Sequence, residues 1–254
     1  MSAWLVLTLA VIGSALGGCL VYTLARLVMP GDPKVADLAN LVIVRVGIIH
    51  ALIVALAFAE VKTNELHARR VVAEEAVTVS DTFYDLERYD LHATDALQRA
   101  VVRYASDVVR HDWPSLAATG RISAAAWASW SHILNGALDL QPEGSRQELI
   151  HKRLIANIYQ LEDQRQRREL DAQADLHPVF WVASVVGLII MCACLGTYPP
   201  RRSTYLMIAV FAGFTGAVVY LAYDVTTPFA GLWIIQPSAL LEFLQRPDIQ
   251  ALSG

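Results

Sequence analysis

The sequence predicts an all-α membrane protein, with four transmembrane helices and a helical, water-facing domain inserted between the second and the third. Three observations carry this. Of the 254 residues, 55% are hydrophobic and the mean hydropathy is +0.41, above the roughly 45–50% apolar usage of soluble domains. The apolar residues crowd into the first 60 and last 80 positions, while the charges collect between 60 and 177. Strand alternation and hairpin dipeptides are absent between them.

The first span, Ala3–Ala25, is uncharged and long enough to cross ~30 Å of hydrocarbon at ~1.5 Å per residue. A secretory signal is disfavoured because no Lys or Arg precedes the stretch and because it exceeds an h-region. Leu16-Gly17-Gly18-Cys19 resembles a lipid-attachment box, but Leu20 to Ala25 stays apolar where a cleaved lipoprotein turns polar. Pro30-Gly31-Asp32-Pro33 reads as a turn built from breakers. Leu38–Ala59 forms the second span, interrupted only by Arg45 and His50. Nothing breaks the chain after it, so one helix is expected from Leu38 to Arg88. These pieces set the first domain at residues 1–61, a transmembrane hairpin, and the second at 62–176.

Within that second domain, Val72, Ala76, Val79, Phe83 and Leu86 repeat at spacings of 4, 3, 4 and 3. Such a coiled-coil-like seam packs inside the bundle or on an adjacent subunit. Leu97, Val101, Tyr104 and Val108 repeat the pattern, and Trp113-Pro114 is expected to stop it. Ser145-Arg146-Gln147-Glu148 fits a capping box, followed by Leu154, Ile158 and Leu161 on one face. His177-Pro178 opens the third span, which runs to Gly196. Tyr198 to Arg202 makes a short loop and Ser203–Tyr223 forms the fourth span, so residues 177–223 are a second hairpin. The tail, 224–254, is apolar but holds Pro228 and Pro237. It reads as an interfacial or re-entrant segment, with Ser238 capping a short helix that carries Leu240, Leu241 and Leu244.

The net charge of −4 gives no reason to expect a nucleic-acid partner. Cys19, Cys192 and Cys194 all lie in apolar runs and read as packing residues; Cys192 and Cys194 point to different sides of a helix, which disfavours a metal pair. Seven histidines are scattered without H-E-x-x-H, and neither a nucleophile elbow nor a phosphate-cradling loop is present. The sequence therefore calls for no enzyme, cofactor or metal. Glu74-Glu75 reads as solvated, and the arginines at 165–168 as a membrane-surface or salt-bridging face. Lys62, Arg69, Arg70, Arg165, Arg167 and Arg168 flank the spans on the side of the inserted domain, against Arg26, Lys34, Arg201 and Arg202 on the other. That excess places both termini and the domain in the cytoplasm.

An intramembrane arginine costs at least ~2.5 kcal/mol unless it faces protein, water or an ion. Arg45 is therefore a candidate for an ion pathway; the competing reading is that it snorkels or pairs with Asp37 or Asp32. Leu52 and Leu56 continue its face, as an apolar strip suited to a narrow constriction or to helix packing. His50 lies near the span's centre on a different face, and is a second candidate or a histidine satisfied by a neighbouring helix.

Several separated segments carry a resemblance. They are Val71-Val72-Ala73-Glu74-Glu75-Ala76 with Phe83-Tyr84-Asp85-Leu86, then Val102-Arg103-Tyr104-Ala105, Asp112-Trp113-Pro114 and Arg165-x-x-Arg168. The last is Asp224-x-x-x-Pro228-Phe229-Ala230-Gly231, with Pro237 behind it. In this order they resemble the bacterial bestrophin-like membrane family. Asp112 stands where the family usually has Glu, and Thr226-Thr227 where it has an aspartate–arginine pair. The resemblance implies a bestrophin-like layout, a site role for Asp224, Pro228, Phe229 and Gly231, and a cyclic homo-oligomer with its pore along the second span. The expected function is a multi-pass, anion-selective channel of the cell inner membrane, passing chloride or another small anion in contact with membrane lipid. The alternative is a non-conducting scaffold or sensor whose helical domain binds a cytosolic partner.

Overall fold

The computed structural model describes residues 3–29, 33–90 and 94–253. The expected turn at Pro30-Gly31-Asp32 lies outside the described residues. Helix is the regular structure throughout: α1 (Ala3–Val28), α2 (Pro33–Tyr89), α3 (Asp95–Asp107), a π-helical turn (Val108–Asp112), α4 (Trp113–Thr119) and α5 (Ala124–Leu138). After these come α6 (Ser145–Ala172), α7 (Pro178–Cys194), a 3₁₀ turn (Leu195–Thr197), α8 (Arg202–Val225), α9 (Ser238–Leu244) and α10 (Pro247–Ser253). Among the described residues, four helical segments are long and apolar enough to cross a membrane. The unbroken helix expected from Leu38 to Arg88 is present as the 57 residues of α2.

The chain divides into two compact units. One holds residues 1–63 and 175–226, the other 64–174 and 227–254.

In the first unit, α1 and α8 approach closely because small residues face each other. A Cβ on Gly18 would lie 2.6 Å from the Ala212 Cβ, and one on Gly216 would overlap Ser14. Between helices that share no hydrophobic driving force in lipid, such close backbone contact is what holds them. Tyr22, Cys192, Ile208 and Ala212 are buried together on this seam. Arg26, at the end of α1, donates through Nη1 to the carbonyls of Tyr198 (2.8 Å) and Gly196 (3.3 Å). Pro178 occupies the first turn of α7, where its missing N–H costs nothing, and the His177 ring accepts from the Val179 N–H at 3.3 Å. The outward faces are apolar: Leu9, Leu16, Leu27, Ile48, Val182 and Met207 are among the exposed side chains. An apolar surface this extensive marks a partner or a membrane, and here it accompanies four span-length helices.

The second unit buries all three seams read from the sequence: Val72 to Leu86, Leu97 to Val108, and Leu154, Ile158 and Leu161. The Val72–Leu86 seam is thus consumed within its own unit and leaves nothing for an adjacent subunit. Three local expectations are corrected. Trp113-Pro114 does not end the helix; the π turn widens the backbone, the Trp113 N–H reaches back to the Val108 carbonyl, and Pro114 falls in the tolerant first turn of α4. The capping box at Ser145 is not formed, because Gly144 takes the N-cap position and its carbonyl accepts from the Glu148 N–H at 3.0 Å. Ser238 is the first residue of α9, not its cap.

The tail also differs from expectation. Residues 227–253 join the second unit instead of standing apart, and Ile235, Leu240, Phe243 and Ile249 are buried in its core while Leu241 stays exposed. A short amphipathic helix satisfies a protein core as readily as a membrane surface, and here Phe243 meets Phe83 edge to face at 5.9 Å.

Candidate functional site

Arg45, Leu52 and Leu56 project from one face of α2, seven and eleven residues apart, and all three are exposed in the first unit. At ~3.6 residues per turn these spacings return to nearly the same azimuth. Among the described residues no ion pair joins Arg45 to Asp37; Asp32 lies outside them. His50 faces the other way. It is buried against α7, where the ring lies over Gly187 and a Cβ on that glycine would overlap it. The four candidates of the second span therefore split, three on an open face and one packed inside.

Asp224 is buried near the end of α8, with Tyr220 Oη donating to its Oδ1 at 3.5 Å. Pro228, Phe229 and Gly231 belong to the second unit. Gly231 has φ +106, a conformation that glycine alone adopts without strain, and the loop it turns returns the Ile235 N–H to the Pro228 carbonyl at 2.8 Å.

That loop leans on a buried ionic cluster assembled from α2, α3, the π turn, α4, α6 and the tail. Glu75, Asp112, Arg165 and Arg168 are each no more than 1% exposed. Arg168 bridges both carboxylates: Nη1 bonds Glu75 Oε2, and Nη2 bonds Asp112 Oδ2 at 2.6 Å. Arg165 reaches the same Asp112 oxygen at 3.4 Å and the Ser123 carbonyl at 3.2 Å. The other Asp112 oxygen accepts from the Ser123 hydroxyl (2.6 Å) and backbone N–H (2.8 Å). Tyr104 Oη donates to Glu75 Oε1 at 2.8 Å. Two guanidinium and two carboxylate groups balance, which is the condition for keeping charge inside a protein.

Trp113 joins the cluster to the tail. Its indole lies 4.9 Å from the Arg168 guanidinium carbon, Phe229 stands on it edge to face at 5.7 Å, and its Nε1–H donates to the Ile235 carbonyl at 2.9 Å. The motif residues Glu75, Tyr104, Asp112, Trp113, Arg165, Arg168, Pro228 and Phe229 thus converge in one unit. The ionic cluster was not assembled from the sequence. Its signal was charge at a core phase: Leu154, Ile158 and Leu161 continue into Arg165 and Arg168 at spacings of four and three, and Val108 into Asp112 at four.

Burial works against the charged Arg168 guanidinium, but Glu75 and Asp112 outweigh it and the net shift is upward. The Tyr104 hydroxyl is held well above its ordinary 10.0, first by burial and next by the Glu75 charge. A group held up in the folded state contributes stability that is complete below its ordinary value and lost as pH rises beyond it. The unfolding temperature should therefore fall above pH ~10, and fall less steeply in Tyr104→Phe. Thermal melts of both proteins across that range check this; equal slopes remove Tyr104 as the cause. Nothing in the cluster is an accessible nucleophile, and among the described residues no group of three or more His, Cys, Asp or Glu side chains is placed to hold a metal. The arrangement binds elements of the unit together.

A family model described as Bestrophin-like domain matches residues 12–240. A crystal structure of a proline-to-alanine variant of a membrane protein is similar in fold, with a TM-score of 0.65 and 12% sequence identity, covering 96% of this chain and 98% of that one. A comparison with curated proteins returns no match.

Proposed function

The chain belongs to the bestrophin-like family, and from that premise we propose that it is the subunit of a cyclic homo-oligomeric, anion-selective channel of the cell inner membrane. Four span-length helices support a multi-pass protein, with the second unit as its cytosolic helical domain. The observation that carries the reading is the open face of α2. It presents a cation, Arg45, followed by an apolar strip at Leu52 and Leu56, and its own unit leaves all three exposed. A rotation axis repeats that face once per subunit, so that Arg45 lowers the barrier for a small anion such as chloride and the leucines form a neck that gates by dewetting. His50 shapes this wall from behind, through its packing on Gly187.

Purified protein in phospholipid vesicles tests the proposal. Chloride should leave loaded vesicles faster than from protein-free ones, across a range of pH and voltage; vesicles that hold their chloride under all these conditions overturn it.

Orientation has its own test. Folding hides Arg165 and Arg168, but the positive-inside rule acts on the chain as it inserts, so their charges still count. A cysteine at position 202 should react with an impermeant thiol reagent on intact cells, and one at Arg69 should react only after lysis. The opposite pattern reverses the topology.

A further inference from the structure

The first unit holds a groove of about 490 Å³ between α2, α7 and α8 that the conduction reading does not use. Its size falls within the roughly 300–1,000 Å³ of small-molecule sites. Phe58, Met191, Phe211 and Phe214 wall it, and of its lining side chains only His50 and Thr215 are polar. Phe58, Phe211 and Phe214 are 43%, 36% and 70% exposed, so the groove opens on the apolar outer surface of the unit. Thr215 is already committed, its hydroxyl donating to the Phe211 carbonyl at 3.0 Å. His50 is not. It is 7% exposed, and both ring nitrogens are buried without a hydrogen-bond partner.

A neutral imidazole carries one N–H donor and one lone pair. Leaving both unmet in an apolar environment is unfavourable, so the position asks for a ligand that brings a polar group to that depth. His50 lies roughly 18 Å along the helix from Leu38 and roughly 15 Å from Glu60, far from both ends of the span. An acyl chain has no group to offer there, and phospholipid ester carbonyls stay at the interface. A ligand that fits must dissolve in hydrocarbon, carry a carbonyl into the middle of the bilayer, and present a flat ring to three phenylalanines.

We propose that this groove binds a membrane-soluble quinone, with a ring carbonyl accepting from the His50 imidazole, the ring against Phe58, Phe211 and Phe214, and the tail running out into lipid. Gly187 is what lets the His50 ring lie flush on α7, with Nδ1 its nearest ring atom. The proposal is independent of conduction: it requires only that the first unit sit in a membrane.

The test uses the full chain in phosphatidylethanolamine–phosphatidylglycerol nanodiscs and a photoreactive azido-decylbenzoquinone. Labelling should saturate, map to peptides spanning residues 47–58 and 211–218, and be displaced by excess decylbenzoquinone but not by decanol. His50→Phe should weaken binding at least tenfold, and His50→Gln, which keeps an N–H donor, should weaken it less. Val54→Trp, on the groove wall, should abolish labelling with an unchanged melting temperature. Labelling that fails to saturate, that decanol displaces equally, or that survives His50→Phe unchanged overturns the site. Absence of labelling in the wild type does so too, whether a second copy or a lipid chain fills the groove. Conducting vesicles that bind no quinone reject this site alone, and quinone binding without flux rejects only the channel.

Discussion

Replacing Arg168 with methionine should lower the unfolding temperature of the helical unit by roughly 6–20 °C. Removing one partner of a buried ion pair costs about 3–5 kcal/mol because the remaining charge stays desolvated, and in a domain of this size each kcal/mol moves the midpoint by about 2–4 °C. Arg168 serves two carboxylates, so its loss leaves the buried Glu75 charge with only the neutral Tyr104 hydroxyl and leaves Asp112 with Arg165 and Ser123. The double variant Glu75→Leu with Arg168→Met removes the stranded charge and should recover most of the loss, since well-packed apolar groups replace buried pairs at little cost. Thermal melts of the three proteins in one detergent check this. A single variant as stable as the wild type would mean that the cluster contributes nothing.

The second large effect concerns ion preference. Two unit charges 4 Å apart interact by about 1 kcal/mol in bulk water and about 4 kcal/mol near a protein surface. Arg45→Gln should therefore cut chloride flux at least roughly five-fold, and Arg45→Glu should reverse the preference toward cations. Reversal potentials in reconstituted bilayers with a potassium chloride gradient measure both. If Arg45 serves only to hold the helix at the interface, both variants change stability and leave the reversal potential where it was. Leu52→Ala provides a check that does not depend on charge, because widening an apolar neck eases its wetting and should raise open-state conductance.

Much of the helical architecture is legible in the chain. The three seams of the second unit reach its core because a 4-3 repeat reports which side of a helix is buried, and Val79, Val101 and Leu161 each end fully enclosed. The four span-length helices follow from long apolar runs, of which only the second carries a charge, Arg45. The ionic cluster was hidden for a different reason. Glu74 and Glu75 are chemically identical neighbours, yet one is exposed and the other fully buried; Glu75 falls three residues after Val72 and four before Val79, at a core phase, and its charge is met by a partner 93 residues away. Arg165 and Arg168 read as a membrane-surface or salt-bridging face; the salt bridges are present, but inside the unit and not on its surface, since arginine is almost never fully buried unless paired and the identity of a partner on another element leaves no local trace. The tail was misplaced through a true ambiguity. Leu240 and Leu244 describe an amphipathic helix without saying whether oil or protein covers it.

The second unit is finished by residues made after the last two spans. Phe229, Ile235, Leu240, Phe243 and Ile249 enter its core only after α7 and α8 have been synthesised. At about 5–20 residues per second, the interval between Ala174 and Thr227 leaving the ribosome lasts roughly 3–10 s. Throughout it, Trp113 lacks both the Phe229 ring and the Ile235 carbonyl, and Phe83 lacks Phe243. The nascent domain therefore waits, with aromatic side chains uncovered, while two hydrophobic helices enter the membrane. Ribosome stalling or a stop codon ahead of Thr227 leaves a chain that has inserted its spans and cannot close its core, which makes residues 227–253 a checkpoint on the assembly of that unit.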